Sequence, residues 1–184
     1  LLLLPRAVFA DVRLAVLDFR GVGVSDVLLQ QFTNEVRKGV VHVSSGQKIK
    51  GEKLIVMTKE NMMQILKGQE LSAEDCTGKC EVEIAKSIGA DYVISGSLKK
   101  IGLLYGLFLK LHSTSDSNLL SSKIVKTKSE EDLILQTSSI SSKVVQVGLK
   151  LGPVSYNGYD ALWIPAGTFT MGCNSGDSDC DVYS

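Results

Sequence analysis

The chain has 184 residues, of which 44% are apolar and 22% charged, the composition of an ordinary globular domain. Its 20 basic and 20 acidic residues balance to a net charge of zero, so the composition gives no electrostatic sign of binding to nucleic acid or to an anionic membrane. Aromatic residues, at 6%, are too few for a base-stacking surface, and no apolar run approaches the roughly 20 residues of a transmembrane helix.

The first ten residues, LLLLPRAVFA, resemble the end of a secretory signal peptide. The four leucines match its apolar region, and Val8 and Ala10 occupy the small −3 and −1 positions of a cleavage site. We therefore expect cleavage after Ala10 and export of the protein to the periplasm or beyond. The alternative is a cytosolic protein with a disordered end before its first strand.

A first strand is predicted at residues 12–19, whose almost continuous apolar run is typical of a central strand. Ser25 is predicted to cap the helix that follows, and Asp26 suits the positive end of that helix. The helix is expected to end at Gly39, with a loop over residues 40–53. Its predicted buried stripe consists of Leu28, Leu29, Phe32 and Val36.

The turn between this strand and this helix contains Gly21 and Gly23, an arrangement that also occurs in phosphate-binding loops. Asp26 replaces the third glycine of a dinucleotide-binding fingerprint, and no Gly-Lys-Ser or Gly-Lys-Thr sequence follows. A plain turn with a serine cap explains the same residues. A small-ligand site on residues 21–25 remains the weakest functional hypothesis.

A second strand is predicted at residues 54–57, and Thr58 is predicted to cap a short helix that ends at Gly68. Met62 and Met63 could contact copper or a peptide, but a methionine pair in a short helix more often fills a core. A loop is expected over residues 69–79.

Residues 80–98, CEVEIAKSIGADYVISGSL, predict the centre of the fold. The first half has apolar residues at helical spacing and ends at Gly89, where a left-handed C′ residue is typical. Residues 92–94 are continuously apolar and β-rich, as expected of a strand covered on both faces. Gly96 predicts a close contact with another group.

Two more strands are predicted at residues 105–112 and 119–127, joined by a polar turn. His112 falls near a strand end on the wetter face, so we interpret it as a solvated histidine. Ser129 is predicted to open the last helix and Gly148 to begin its termination. The predicted inner stripe contains Leu133, Thr137, Ile140, Val144 and Val147, with Ser138, Ser139, Ser141 and Ser142 mostly outside it.

Four cysteines form two close pairs in sequence, Cys76 with Cys80 and Cys173 with Cys180. In an oxidising compartment such pairs predict local disulfides. Their spacing provides no zinc ligand set and differs from the C-x-x-C of thioredoxin-like sites. The sequence therefore assigns no catalytic, cofactor-binding or metal-binding residue.

Three phrases resemble the TolB N-terminal-like and CsgG-like periplasmic domains of bacteria. They are RLAVLDFRG at 13–21, LIVMTKENMMQIL at 54–66 and CEVEIAKSIGADYVISGSLKKIG at 80–102. The resemblance covers about residues 12–148 and implies an α/β scaffold that binds protein partners in the cell envelope. Its most specific part is the family pattern at Ala85, Gly89, Ala90, Asp91, Tyr92, Val93, Ile94, Gly96 and Ser97.

Residues 159–172, YDALWIPAGTFTMG, resemble the opening of the formylglycine-generating (sulfatase-modifying factor) enzymes. The resemblance implies that the catalytic cysteines and calcium ligands of such a domain would lie beyond Ser184, so Cys173 and Cys180 are not assigned as catalytic. Three alternating aspartates near residue 179 suggest a calcium loop but lack its glycine and distal glutamate, and we interpret them as a solvated acidic tail.

We therefore expect an α/β domain over residues 11–150, with a mixed sheet of about five strands and helices on both faces. Residues 1–10 are the expected remnant of a signal peptide, and residues 151–184 a linker and a short β-rich start of a second domain. The first functional hypothesis is an exported, non-enzymatic protein-interaction domain whose partners are envelope proteins. The alternative is the N-terminal part of a formylglycine-generating-type enzyme.

The signal-peptide assignment predicts that the protein exported from a bacterium expressing the full-length gene begins at Asp11, which intact-mass measurement would show. Export with residues 1–10 still attached would contradict it.

Overall fold

The computed structural model describes residues 11–67 and 79–152, and the backbone of two short strands at 154–156 and 159–161. The expected signal-peptide remnant, Cys76, Cys173, Cys180 and most of the stretch similar to formylglycine-generating enzymes lie outside these residues, so the predictions made on them stay predictions.

The described residues form four helices and nine strands. In chain order they are β1 (Val12–Val16), β2 (Arg20–Val22), α1 (Asp26–Ser44), β3 (Lys48–Ile49), β4 (Glu52–Val56), α2 (Lys59–Lys67), α3 (Lys79–Ser87), β5 (Tyr92–Ile101), β6 (Leu104–Ser113), β7 (Leu119–Thr127), α4 (Glu130–Leu149), β8 (Val154–Tyr156) and β9 (Tyr159–Ala161).

Seven strands form one mixed sheet in the order β3-β4-β1-β5-β6-β7, and β2 pairs with β5 beyond the end of β1. β1 runs parallel to β4 and β5, whereas β5, β6 and β7 form an antiparallel meander. The mixed α/β class is confirmed. The expected number of about five strands is wrong because residues 20–22 and 48–49 also pair, and the latter form a hairpin with β4.

β5 lies in the middle of this sheet, as predicted. Val93 and Ile94 are both fully buried, although neighbouring side chains of a strand point to opposite faces. Ile94 belongs to the core that α1 and α4 cover, and Val93 to a second core that α2 and α3 cover. The prediction of a strand covered on both faces is therefore confirmed.

Residues 12–22 form a strand interrupted by a bulge rather than the single strand predicted over 12–19. Val16 pairs with Ile94 and Arg20 with Ser97, so one extra residue is inserted on this side of the pairing. Phe19 packs into the core at the bulge, and its ring occupies the space that a side chain at Gly96 would need. The close contact predicted at Gly96 is thus confirmed.

Gly39 is the point where α1 and α4 cross, and it does not end α1 as the sequence predicts. A Cβ at this position would collide with the carbonyl oxygen of Ser138 in α4, so only glycine allows the two helices to approach this closely. The helix continues to Ser44. The loop predicted over residues 40–53 is therefore the end of α1, followed by the β3–β4 hairpin.

Serines of α4 lie against α1 at this crossing. Ser142 Oγ donates a hydrogen bond to the Gly39 carbonyl oxygen at 2.7 Å, and Ser141 Oγ donates to the Val36 carbonyl oxygen at 3.2 Å. Both serines are buried, so the prediction that they lie outside the inner stripe is wrong. Val147, predicted inside, is 62% exposed because α4 turns its serine side toward α1.

The predicted starts of α1, α2 and α4 are confirmed by local contacts, and the predicted end at Gly68 lies outside the described residues. The hydroxyl oxygens of Ser25, Thr58 and Ser129 each accept a hydrogen bond from the amide three residues on, at 3.1–3.3 Å. Gly89 takes the predicted left-handed conformation, with φ of 74°. Gly148 instead lies inside α4, where a side chain would collide with the neighbouring strand β6.

The helix crossing predicts that Gly39→Ala lowers the free energy of unfolding by about 1–3 kcal/mol, because the added methyl group forces α1 and α4 apart. Gly152→Ala is the matched control, since a Cβ there meets no atom within 4 Å. Urea unfolding followed by circular dichroism measures both. Equal midpoints for wild type and Gly39→Ala would show that the crossing is looser than described.

Candidate interaction surface

One part of the sheet has no described helix packed over it. Helices α2 and α3 cover one face around Ala15 and Val93. The strand registers place alternate side chains of β2, the end of β5, β6 and β7 on this same face, beyond the part that α2 and α3 cover. We define the open face by Arg20, Val22, Lys99, Ile101, Leu104, Phe108, Lys110, Ile124 and Lys126.

The open face contains exposed apolar side chains. Val22 is 62% exposed, Ile101 76% and Ile124 57%, which is unusual for aliphatic side chains on paired strands. Phe108 is half-buried and pairs with Ile124 across β6 and β7. These apolar side chains lie on one face of the sheet, where a partner could cover them.

The charged side chains that these strands place on the open face are all positive. Arg20, Lys99, Lys110 and Lys126 share this face, and the four strands contain no Asp or Glu, although the whole chain is neutral. The Lys99 ammonium group lies 5.8 Å from the centroid of the Phe108 ring, so this cation is held over the apolar surface. Exposed apolar side chains interspersed with basic ones suit a partner whose contact surface combines apolar and acidic groups.

His112 lies at the border between the covered and the open parts of this face. It is half-buried, and its Nδ1 atom is buried without a hydrogen-bond partner, so the interpretation as a solvated histidine is wrong. Burial lowers the pKa of His112; the negative charge of Glu81 opposes this shift, and the positive charge of Lys110 adds to it. Ser95 donates its hydroxyl hydrogen to Glu81 Oε2 at 2.6 Å rather than to His112, so these groups do not form a serine–histidine nucleophile pair.

A second feature is an open cleft of about 450 Å³ at the carboxyl end of β1. The connection after β1 crosses one face of the sheet, and the connection after β4 crosses the other. In open α/β sheets, ligands commonly bind at the carboxyl ends of two strands whose connections diverge in this way. The cleft is lined by Asp18, Phe19, Asp26, Leu29, Gln30, Thr33, Asn34, Arg37 and Lys59.

Asp18 pairs with the two basic residues that line this cleft. Its carboxylate accepts hydrogen bonds from Arg37 Nη2 at 2.6 Å and from Lys59 Nζ at 2.9 Å. Arg37 Nη2 also donates to the Val16 carbonyl oxygen at 3.2 Å. The bulge turns Asp18 toward both cations, so the cluster joins β1, α1 and α2, and we interpret it as a structural clamp.

The turn at residues 21–25 is filled by the protein's own backbone. Gly21 pairs with Leu98 of β5, and a Cβ at Gly23 would lie 2.8 Å from the Lys100 carbonyl oxygen. Ser25 uses its hydroxyl group to cap α1. These contacts favour the plain turn over a phosphate-binding loop.

The described residues contain no group of three or more His, Cys, Asp or Glu side chains placed to hold a metal ion. No helix in the described ranges has both the length and the hydropathy needed to cross a bilayer. Cys80, in the first turn of α3, is disulfide-bonded, and its predicted pairing with Cys76 stays a prediction.

No protein-family model and no curated protein matches this chain. Solved structures do match. TolB from Acinetobacter baumannii aligns with a TM-score of 0.50 and 13% identity over 76% of this chain and 28% of that one. Lipoprotein GNA1162 from Neisseria meningitidis aligns with a TM-score of 0.50 and 10% identity over 64% and 80%. The C-terminal domain of LpoB from Escherichia coli aligns with a TM-score of 0.49 and 18% identity over 67% and 87%.

The likeness to TolB and to GNA1162 shows a shared fold, and at these identities it shows the fold alone. The architecture implied by the resemblance to TolB-like domains is therefore confirmed. None of the comparisons supports a domain of the formylglycine-generating type.

The clamp makes a prediction about pH. Burial alone would raise the pKa of Asp18, but hydrogen bonds from Lys59 and Arg37 and the charges of both outweigh it and lower that pKa. Because the folded pKa is depressed, the carboxylate contributes stability above the ordinary aspartate pKa of about 3.9 and loses it as the pH falls through the lower folded value.

Asp18→Asn should therefore be less stable than wild type at pH 7, by less than about 1 kcal/mol because the carboxylate is 57% exposed. The difference should shrink as the pH falls below 4. Urea unfolding between pH 7 and pH 3 measures it, with Glu83→Gln as a control that removes an exposed carboxylate from α3. A difference that stays constant over this range would contradict the clamp.

Proposed function

We propose that this chain is an exported, non-enzymatic protein-interaction domain of the cell envelope, and that it binds a protein partner through the open face. The observation that carries the proposal is the open face itself: an ordered part of the sheet whose apolar side chains are exposed and whose charged side chains are all basic. Interfaces with this composition gain affinity from the covered apolar side chains and specificity from the charged ones.

Several features support binding rather than catalysis. The polar groups best placed for chemistry are already engaged with one another, since Ser95 bonds to Glu81 and Asp18 bonds to Arg37 and Lys59. The sequence phrases shared with TolB N-terminal-like and CsgG-like domains point to scaffolds that bind protein partners.

Two observations support the envelope as the location. Residues 1–10 resemble the end of a signal peptide, and the disulfide at Cys80 is typical of an oxidising compartment. The solved proteins that share the fold include TolB and a lipoprotein. We infer a periplasmic or secreted domain.

A second candidate is the N-terminal part of a formylglycine-generating-type enzyme, and the phrase at residues 159–172 favours it. A few hundred further codons that carry the catalytic cysteines and metal ligands of that family would make the whole protein a candidate enzyme. The reading frame downstream of Ser184 decides this alternative without affecting the role of the open face.

The open face predicts site-specific photo-crosslinking in the envelope. A photoreactive phenylalanine derivative at Ile124 should give one discrete crosslinked protein, and the same residue at Val147 should not. Val147 is the matched control because it is an aliphatic side chain of α4 that is 62% exposed, against 57% for Ile124.

With the crosslinked partner identified and purified, Ile124→Asp should weaken its binding about tenfold, the order of cost of replacing an apolar side chain that the partner buries by a charged one. Val147→Asp should leave the affinity unchanged. Equal crosslinking from both positions, or equal affinities of the two aspartate variants, would contradict the proposed surface.

A further inference from the structure

The hairpin between β5 and β6 ends in an apolar tip, which we define as residues 101–104. Leu103 is 80% exposed, more than any other large hydrophobic side chain among the described residues, and Ile101 is 76% and Leu104 41% exposed. Ile101 and Leu104 pair across the hairpin, and Gly102 takes the left-handed conformation that a tight turn needs. The tip therefore presents three aliphatic side chains on a narrow, convex end of the sheet.

Two lysines follow directly behind this tip on opposite faces of β5. The Lys99 ammonium group lies 5.8 Å from the centroid of the Phe108 ring, and that of Lys100 lies 4.8 Å from the centroid of the Tyr105 ring. Each contact packs the aliphatic part of the lysine against an aromatic ring and positions its ammonium group one or two residues from the tip.

Among the described residues, the acidic groups at this end of the sheet are on the other side from Lys99. The Tyr105 hydroxyl donates to Glu130 Oε2 at 2.9 Å, so Glu130 lies on the side where Lys100 covers the same ring. Glu131 and Asp132 follow in the first turn of α4, and Asp26 lies in the first turn of α1; both helices pack on the face opposite Lys99. The Lys99 side of the tip is therefore the positive one.

The shape and chemistry of this feature fit a lipid surface better than a protein pocket. A convex group of aliphatic side chains, with cations set back by one or two residues, places apolar atoms at the acyl boundary and ammonium groups at the level of the phosphates. The anchors usual in protein interfaces are Trp, Tyr and Arg, and the tip contains none of them. We propose that the tip of the β5–β6 hairpin docks this domain on the surface of an anionic bilayer.

Docking by the tip would leave the open face available to a protein partner, because the open face extends away from the tip toward Lys110 and Ile124. Only Ile101, Leu104 and the adjoining Lys99 belong to both surfaces. This proposal goes beyond the proposed function. Membrane docking can be disproved while the protein-binding role of the open face still stands, since crosslinking from Ile124 does not require a membrane.

Co-sedimentation of the 184-residue chain with vesicles tests the proposal. Vesicles of phosphatidylglycerol and phosphatidylethanolamine should bind it, and vesicles of phosphatidylcholine alone should bind it much more weakly. Leu103→Asp should reduce binding to the anionic vesicles by at least about tenfold. Leu135→Asp is the matched control, because Leu135 is an α4 side chain that is 72% exposed, and it should bind like wild type.

Charge is tested separately. Lys99→Glu should weaken binding to the anionic vesicles by about fivefold or more, the effect of one lysine at such a surface, and Lys143→Glu on α4 should not. All variants share the same termini, so any contribution of the termini to vesicle binding cancels in these ratios. Thermal unfolding of each variant shows whether it retains the wild-type fold.

Three outcomes would overturn the proposal: no binding of the wild-type chain to anionic vesicles, equal losses for Leu103→Asp and Leu135→Asp, or vesicle binding that Leu103→Asp leaves unchanged. A dimer that Leu103→Asp abolishes, without vesicle binding, would show instead that the tip is a contact between two copies of the chain.

Discussion

The structure depends on the burial of β5 from both sides. Val93 and Ile94 are adjacent in the chain, yet they belong to two different cores, one under α2 and α3 and the other under α1 and α4. This strand also pairs with β1 and β2 on one edge and with β6 on the other. Every layer of the described fold therefore contacts it, and the helices on each face are held by side chains of the same short segment.

The coverage of the two faces is unequal, and this difference shapes the function. α1 and α4 pack closely on one face because Gly39 has no side chain and the small side chains of Ser141 and Ser142 hydrogen-bond to the backbone of α1. On the other face, α2 and α3 are short and reach only the region around Val93. The meander of β5, β6 and β7 extends past their cover, so its outer side chains are ordered by strand pairing but are left exposed. A rigid surface of this kind can bind a partner with little loss of conformational entropy.

The sequence predicted local features well because their causes are local. The caps at Ser25, Thr58 and Ser129, the left-handed Gly89 and the two-sided strand at 92–94 all follow from short patterns. Predictions from the sequence were wrong where a contact between distant residues determines the structure. The pattern around Gly39 indicates a helix end, but α4 crosses α1 at this residue. The pattern of α4 predicts that Val147 is buried, but the serine side of α4 faces α1 instead. The open face was missed because net charge and composition average over the chain, whereas its four cations are brought together by pairing among four strands.

The central claim is that β5 forms a rigid, doubly covered centre that presents an uncovered sheet surface. Hydrogen exchange of the intact chain, measured residue by residue, tests it most directly. The account predicts that the amides of residues 93–98 and of their partners in β6 exchange only through global unfolding, although the open face is in contact with water, while those of residues 101–104 exchange far faster. Exchange at residues 93–98 as fast as at residues 101–104 would contradict it.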